Sequence, residues 1–130
     1  MDHLSNIFHI WRVLYEKDQD VKSVIEELFH QDYIQSINGV ILNRSEYINH
    51  IREQRKNIEV IEFECKNYMI HSDKLFIIYY VKGKNIQGGE IVAEIIAYFE
   101  FKDKKLFKIH GQVHLSKGNS SDVDMREGSL

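Results

Sequence analysis

Glu90-Ile91-Val92-Ala93-Glu94-Ile95-Ile96-Ala97-Tyr98-Phe99-Glu100-Phe101-Lys102 decides the fold. Its odd positions, from Ile91 to Phe101, are all apolar, and its even positions mix Val92, Glu94, Ile96, Tyr98 and Glu100. A period of two over such a length marks a strand with one face in a core, and the odd face is the inner one. Downstream, Lys102-Asp103-Lys104 turns the chain into a run from 105 to 115, with Phe107, Ile109, Gly111, Val113 and Leu115 inward and Leu106, Lys108, His110, Gln112 and His114 outward. Upstream, Gly83 to Gly89 leads back to a strand over 74 to 82, apolar on both sides between Leu75 and Val81. His71-Ser72-Asp73 then joins that strand to one over 59 to 71, where Ile61, Phe63, Cys65, Asn67 and Met69 are expected to face inward. Four strands in succession form a meander.

Before residue 59 the period is that of helices. Leu4, Ile7, Phe8, Trp11, Leu14 and Tyr15 fall on one helical face, and polar residues from Glu16 to Asp20 end the segment. Asp20 caps a second helix with the stripe Val21, Val24, Ile25, Leu28 and Phe29, which His30-Gln31-Asp32 closes. Two short β-prone arms, Tyr33 to Ile37 and Val40 to Leu42, surround Asn38-Gly39, the dipeptide best suited to a two-residue hairpin turn. Asn43 and Glu46 form a capping box, opening a third helix with Tyr47, Ile48, Ile51 and Ile58 as its stripe and Arg52, Arg55 and Lys56 as its basic end.

A chain of 130 residues with 43% hydrophobic and 28% charged side chains is sized and composed for one globular domain. The domain is predicted over 1 to 115; the polar, Gly/Ser-rich segment 116 to 130 is expected to form a disordered tail. The single cysteine, Cys65, excludes an internal disulfide and a cysteine-based zinc site, and a cytoplasmic location is expected. Met1-Asp2-His3-Leu4 has no basic stretch leading into an apolar core, and no apolar run reaches membrane-spanning length. With a net charge of -3, nucleic acid and membrane are not expected partners.

The order of helix, helix, hairpin, helix and four-strand meander resembles the α+β cone of the nuclear transport factor 2 (NTF2-like) superfamily, particularly its SnoaL-like branch. Leu28-Phe29-His30-Gln31-Asp32-Tyr33 followed by Asn38-Gly39, then Glu46-Tyr47-Ile48, and Phe99-Glu100-Phe101-Lys102-Asp103-Lys104-Lys105-Leu106 look like recurrent segments of that family, and the match spans residues 3 to 115. The resemblance implies an α-α-β-β-α-β-β-β-β chain with three helices packed on a curved, mainly antiparallel sheet, and a pocket between them. It does not imply one reaction, because isomerases, cyclases, dehydratases, transport factors and non-catalytic domains share the fold.

Chemistry beside a carbonyl needs a base and a donor to the developing oxyanion. Set against the ketosteroid isomerase pattern, the base would fall near Ile37 or Asn38 and the buried acid near Ala97, and Ser36 stands where many SnoaL-like chains have a histidine. No catalytic residue is assigned. The inward positions of the strands hold no Asp, Glu, His or Lys, so the expected ligand contacts are uncharged: Trp11, Tyr15, Ser36, Asn38, Asn67 and Tyr79. Neither P-loop nor dinucleotide fingerprint occurs, and no cofactor is expected. His110 and His114 share a strand face roughly 13 Å apart and cannot share one metal ion, so no metal site is expected. Cys65, inward among apolar neighbours, reads as a packing residue.

The outward Phe76, Ile78, Tyr80, Ile96 and Tyr98 make a patch too apolar to leave wet, from which a homodimer through the outer sheet face is predicted. The expected function is binding of a small, mainly apolar molecule in the cone. An isomerase-, cyclase- or dehydratase-type enzyme and a transport-factor-type interaction module are the alternatives.

Overall fold

The computed structural model describes residues 2 to 119. Helices α1 (His3–Leu14) and α2 (Val21–Leu28) lead into strands β1 (Phe29–Ile37) and β2 (Val40–Asn43). Helix α3 (Arg44–Asn57) then precedes β3 (Ile58–His71), β4 (Lys74–Asn85), β5 (Glu90–Lys102) and β6 (Lys105–Lys117). The six strands lie in the order β2-β1-β6-β5-β4-β3. β1 and β6 run parallel, and every other neighbouring pair is antiparallel.

Local chemistry caps each helix at its start, and at Asp20 and Asn43 the caps are those the sequence predicts. Asp2 and Asp20 cap α1 and α2 by accepting the Ser5 and Ser23 backbone N–H groups at 2.7 and 3.0 Å. At α3 the capping box is complete, with Asn43 N–H donating to Glu46 and Glu46 N–H donating to Asn43, both at 2.9 Å. Asn38 and Gly39 turn the β1–β2 hairpin at φ values of 50° and 80°, the left-handed pair that such a turn requires.

One sheet face packs against the helices. Ile7, Leu14, Ile25, Phe29, Leu75, Phe99 and Leu106 retain no exposed surface there, and the odd positions of β5 are inward as predicted. Cys65 also packs against this core, and burial pushes its thiol up, as expected of a packing cysteine.

Four sequence expectations are corrected. Phe29 to Asp32 do not end α2: Phe29 is already extended and pairs with Leu106, so the second helix runs straight into β1. Ile58 is the first residue of β3 rather than part of the α3 stripe. In β6 it is Leu106 that is buried, because Phe101 pairs with Leu106 and Glu100 with Lys108, leaving Phe107 as the extra residue of a bulge. In β3 two such irregularities, at Ile61 and Lys66, shift the alternation, so that Ile61 is 58% exposed and Asn67 and Met69 fall beside outer-face residues Ile78 and Phe76. The predicted tail overlaps β6 at Ser116 and Lys117, and its residues 120 to 130 lie outside the described residues.

Candidate functional site

Between the helices and the sheet lies a cavity of about 130 Å³. Helix α1 contributes Trp11 and its C-cap Tyr15, one turn apart on one side; α3 contributes Tyr47, His50 and Gln54, which the helical repeat also aligns. The opposite wall is hydrocarbon, with Ile91, Ala93 and Ile95 from β5 and Val81 beside Tyr79 from β4. Ile58, Val60 and Phe63 of β3 close one side, and Ile37 and Val113 the other. Polarity is therefore one-sided: apart from Tyr79, every polar side chain comes from a helix or its C-cap.

The phenols of the site are neutral. Burial pushes the hydroxyls of Tyr15, Tyr47 and Tyr79 well above the usual range, so they act as hydrogen-bond donors rather than bases. Tyr15 donates to Gln54 Oε1 at 2.5 Å, a bond that ties α1 to α3 across the cavity. The Trp11 indole N–H is close enough to the Tyr79 hydroxyl to oppose part of that upward shift, but makes no well-formed hydrogen bond among the described residues. His50 is 5% exposed, and its ring stacks on Tyr47 with centroids 6.0 Å apart. Behind Tyr47, Tyr33 donates to Gln35 Oε1 at 2.6 Å in the fully covered core.

Of the six contacts expected from sequence, the structure brings three together at this cavity: Trp11, Tyr15 and Tyr79. The other three lie elsewhere. Ser36 occupies the β1 position between the cavity-lining Ile37 and the buried Gln35, and so belongs to the opposite face. Asn38 is exposed and secures the hairpin to β6, accepting the Val113 N–H at 2.8 Å and donating to the Val113 carbonyl at 3.4 Å. Asn67 is exposed beyond the second β3 irregularity and accepts the N–H of Tyr68 at 2.9 Å. Sequence reading missed Tyr47, His50 and Gln54, although their spacing of three and four residues is that of one helix face. His110 and His114 are exposed, and no group of His, Cys, Asp and Glu among the described residues is placed to hold a metal ion.

No family model matches the chain. Among curated proteins it is 19% identical, over 95% of both chains, to an uncharacterized protein of Schizosaccharomyces pombe. A solved structure with the provisional name of isomerase, from Rhodopseudomonas palustris, superposes with a TM-score of 0.73 at 10% identity, covering 87% of this chain and 90% of the other. An NTF2-like protein from Burkholderia xenovorans gives 0.66 at 8% identity, over 85% and 88% of the two chains. A provisional SnoaL-like polyketide cyclase from Mesorhizobium loti gives 0.60 at 10% identity, over 85% and 98%. The fold is the NTF2-like α+β cone that the sequence resemblance implies.

Proposed function

We propose that this protein binds a small, mainly apolar molecule in the cone cavity, through an acceptor oxygen on the ligand that meets Trp11 and Tyr79, while Tyr15, its hydroxyl already given to Gln54, packs beside the ligand. The Trp11 indole carries the reading. Trp11 is only 6% exposed, lines the cavity and has a donor without a well-formed partner among the described residues. A ligand oxygen that gives the indole a better partner than the Tyr79 hydroxyl beside it recovers part of the roughly 1–3 kcal/mol that an ill-paired buried donor costs. The cavity volume of about 130 Å³ suits one ring, since an engineered apolar cavity of about 150 Å³ takes up benzene.

Trp11 is the only tryptophan in the chain and reports directly on this site. Titration with cyclohexanone or benzaldehyde is expected to change its fluorescence saturably. Ligand at about 100 times its dissociation constant should add roughly 2.7 kcal/mol to the stability of the native state. Replacing Tyr79→Phe removes one donor and should weaken binding about tenfold. A flat titration of folded protein across ketones, aldehydes and phenols overturns the reading.

His50 favours a second reading. An imidazole can take or give a proton where the neutral Tyr79 phenol holds a carbonyl oxygen, which is the isomerase or cyclase type of chemistry. Deuterium uptake at the α-carbons of cyclohexanone, followed by NMR, tests it: exchange above buffer that His50→Gln abolishes supports catalysis, and exchange at the buffer rate leaves binding alone.

The reading includes a cytoplasmic location, in keeping with a single unpaired cysteine, and a homodimer through the outer sheet face. Phe76 and Ile96 there are 56% and 52% exposed, and Phe76 packs on Tyr98 with ring centroids 4.9 Å apart. Sedimentation should give twice the chain mass of 15.5 kDa, and Phe76→Glu should halve it. A monomeric wild type turns this face into a surface for a different protein partner, as in the transport-factor alternative.

A further inference from the structure

A second hollow adjoins the cavity. Tyr15, Val60 and Phe63 line both the inner cavity and an outer chamber of about 400 Å³. The chamber's remaining walls, Arg12, Glu16, Ile61 and Glu62, are all exposed, so it communicates with water. Two features of the chain shape it. Helix α1 ends at Leu14 with Tyr15 as its C-cap, so that the helix residue Arg12, the cap residue Tyr15 and the loop residue Glu16 line the chamber together. The irregularity at Ile61 lets Val60 line both hollows while Ile61 faces only the outer one.

The polar groups of the two hollows differ in kind. Inside are neutral phenols, an indole and an imidazole. Outside stand an exposed cation, Arg12, and an exposed anion, Glu16, neither of which forms a side-chain ion pair among the described residues; Glu62 lies 3.9 Å from Lys82. A ligand carboxylate in this chamber meets Glu16, and a ligand ammonium meets Arg12. An uncharged amide or hydroxyl accepts from the one and donates to the other.

We propose that the outer chamber is a second subsite and that the ligand is bipartite. A ring-sized apolar head occupies the inner cavity and continues past Tyr15 and Phe63 into an uncharged polar tail, such as a primary amide or alcohol. Tyr15 is the specificity-determining partition, held in place by its hydrogen bond to Gln54. The proposal rests on the reading that the inner cavity binds an apolar molecule.

Trp11 fluorescence titrations with p-cresol, 3-(4-hydroxyphenyl)propanamide, 3-(4-hydroxyphenyl)propanoate and 3-(4-hydroxyphenyl)propylamine test it, each ring carrying the oxygen that the inner cavity is read to meet. The amide should bind about tenfold tighter than p-cresol, because its added methylenes are buried and its tail is paired, and tighter than either charged analogue. Ile61→Phe, at an exposed position, fills the chamber without touching the core; it should cancel most of the amide's advantage and leave p-cresol within about twofold. Binding of p-cresol with no gain for the amide, or an equal effect of Ile61→Phe on both, overturns the second subsite alone. A charged analogue as the tightest ligand overturns the uncharged tail. If no compound binds, the inner-cavity reading falls and the subsite falls with it.

Discussion

Strands β5 and β3 have almost the same length, 13 and 14 residues, yet they obey the alternation of faces to different degrees. β5 pairs with β4 residue for residue, from Lys74 opposite Glu100 to Lys84 opposite Glu90, and the residues at its odd positions are buried or nearly so. β3 slips twice against β4, and exposure follows the slips: Ile58, Val60, Phe63 and Cys65 face the helices, whereas Ile61 does not. β3 is an edge strand with one neighbour and can bulge without disturbing a second ladder, whereas β5 lies between β4 and β6 and leaves the extra residues of its second ladder, Phe107 and Ser116, to β6.

The comparison is broken most severely by removing the best-packed side chain of the regular strand. Phe99 retains no exposed surface and stands beside Trp11, with ring centroids 6.2 Å apart. Phe99→Ala should cost about 3–5 kcal/mol in urea unfolding, through lost burial and the cavity left behind. A loss under about 1 kcal/mol would mean that the inner face of β5 is far less tightly packed than its burial implies.

A smaller loss is expected where β3 first slips. Gly83 of β4 pairs with Val60 just before the slip, and a Cβ added there would sit 2.4 Å from the Glu59 carbonyl oxygen. Because that oxygen is backbone, the edge strand itself has to move. Gly83→Ala should therefore cost about 1–3 kcal/mol and loosen β3 before the rest of the sheet. Hydrogen exchange is expected to quicken along β3 and stay slow in β5, and equal acceleration of both would contradict the idea that the edge absorbs the strain.

The same contrast explains what the sequence discloses. Helix stripes, the Asp20 cap, the capping box and the Asn38-Gly39 turn are local chemistry, legible because each depends on residues within a few positions of one another. Bulges are not local in that sense. Val60-Ile61 and Leu106-Phe107 are adjacent apolar pairs that sit at slips, but Ile95-Ile96 is the same kind of pair in a ladder that does not slip, so the doublet alone decides nothing. The cavity was legible in proportion: Trp11 and Tyr15 follow from helix period, and Tyr79 from a strand without a slip. His50 and Gln54 stayed hidden because polar side chains between Ile48 and Ile51 and beyond read as a solvent face, although both are buried at the cavity. Only the position of the sheet opposite α3 reveals that their side of the helix is covered.

The smallest effect is the sharpest test of the slip at Lys66. With unbroken alternation, Asn67 would be an inward amide, and Asn67→Leu would change the core by a large apolar group. In the slipped register Asn67 stands beside Ile78 on the outer face and accepts its neighbour's backbone N–H. Asn67→Leu should then change stability by no more than about 0.5 kcal/mol and leave ligand binding at the cavity untouched. Ile61→Thr, at the other slip, should be equally mild in thermal unfolding, since a 58% exposed side chain loses little burial. A shift of several degrees from either substitution would place its side chain inside and restore to β3 the plain alternation that β5 displays.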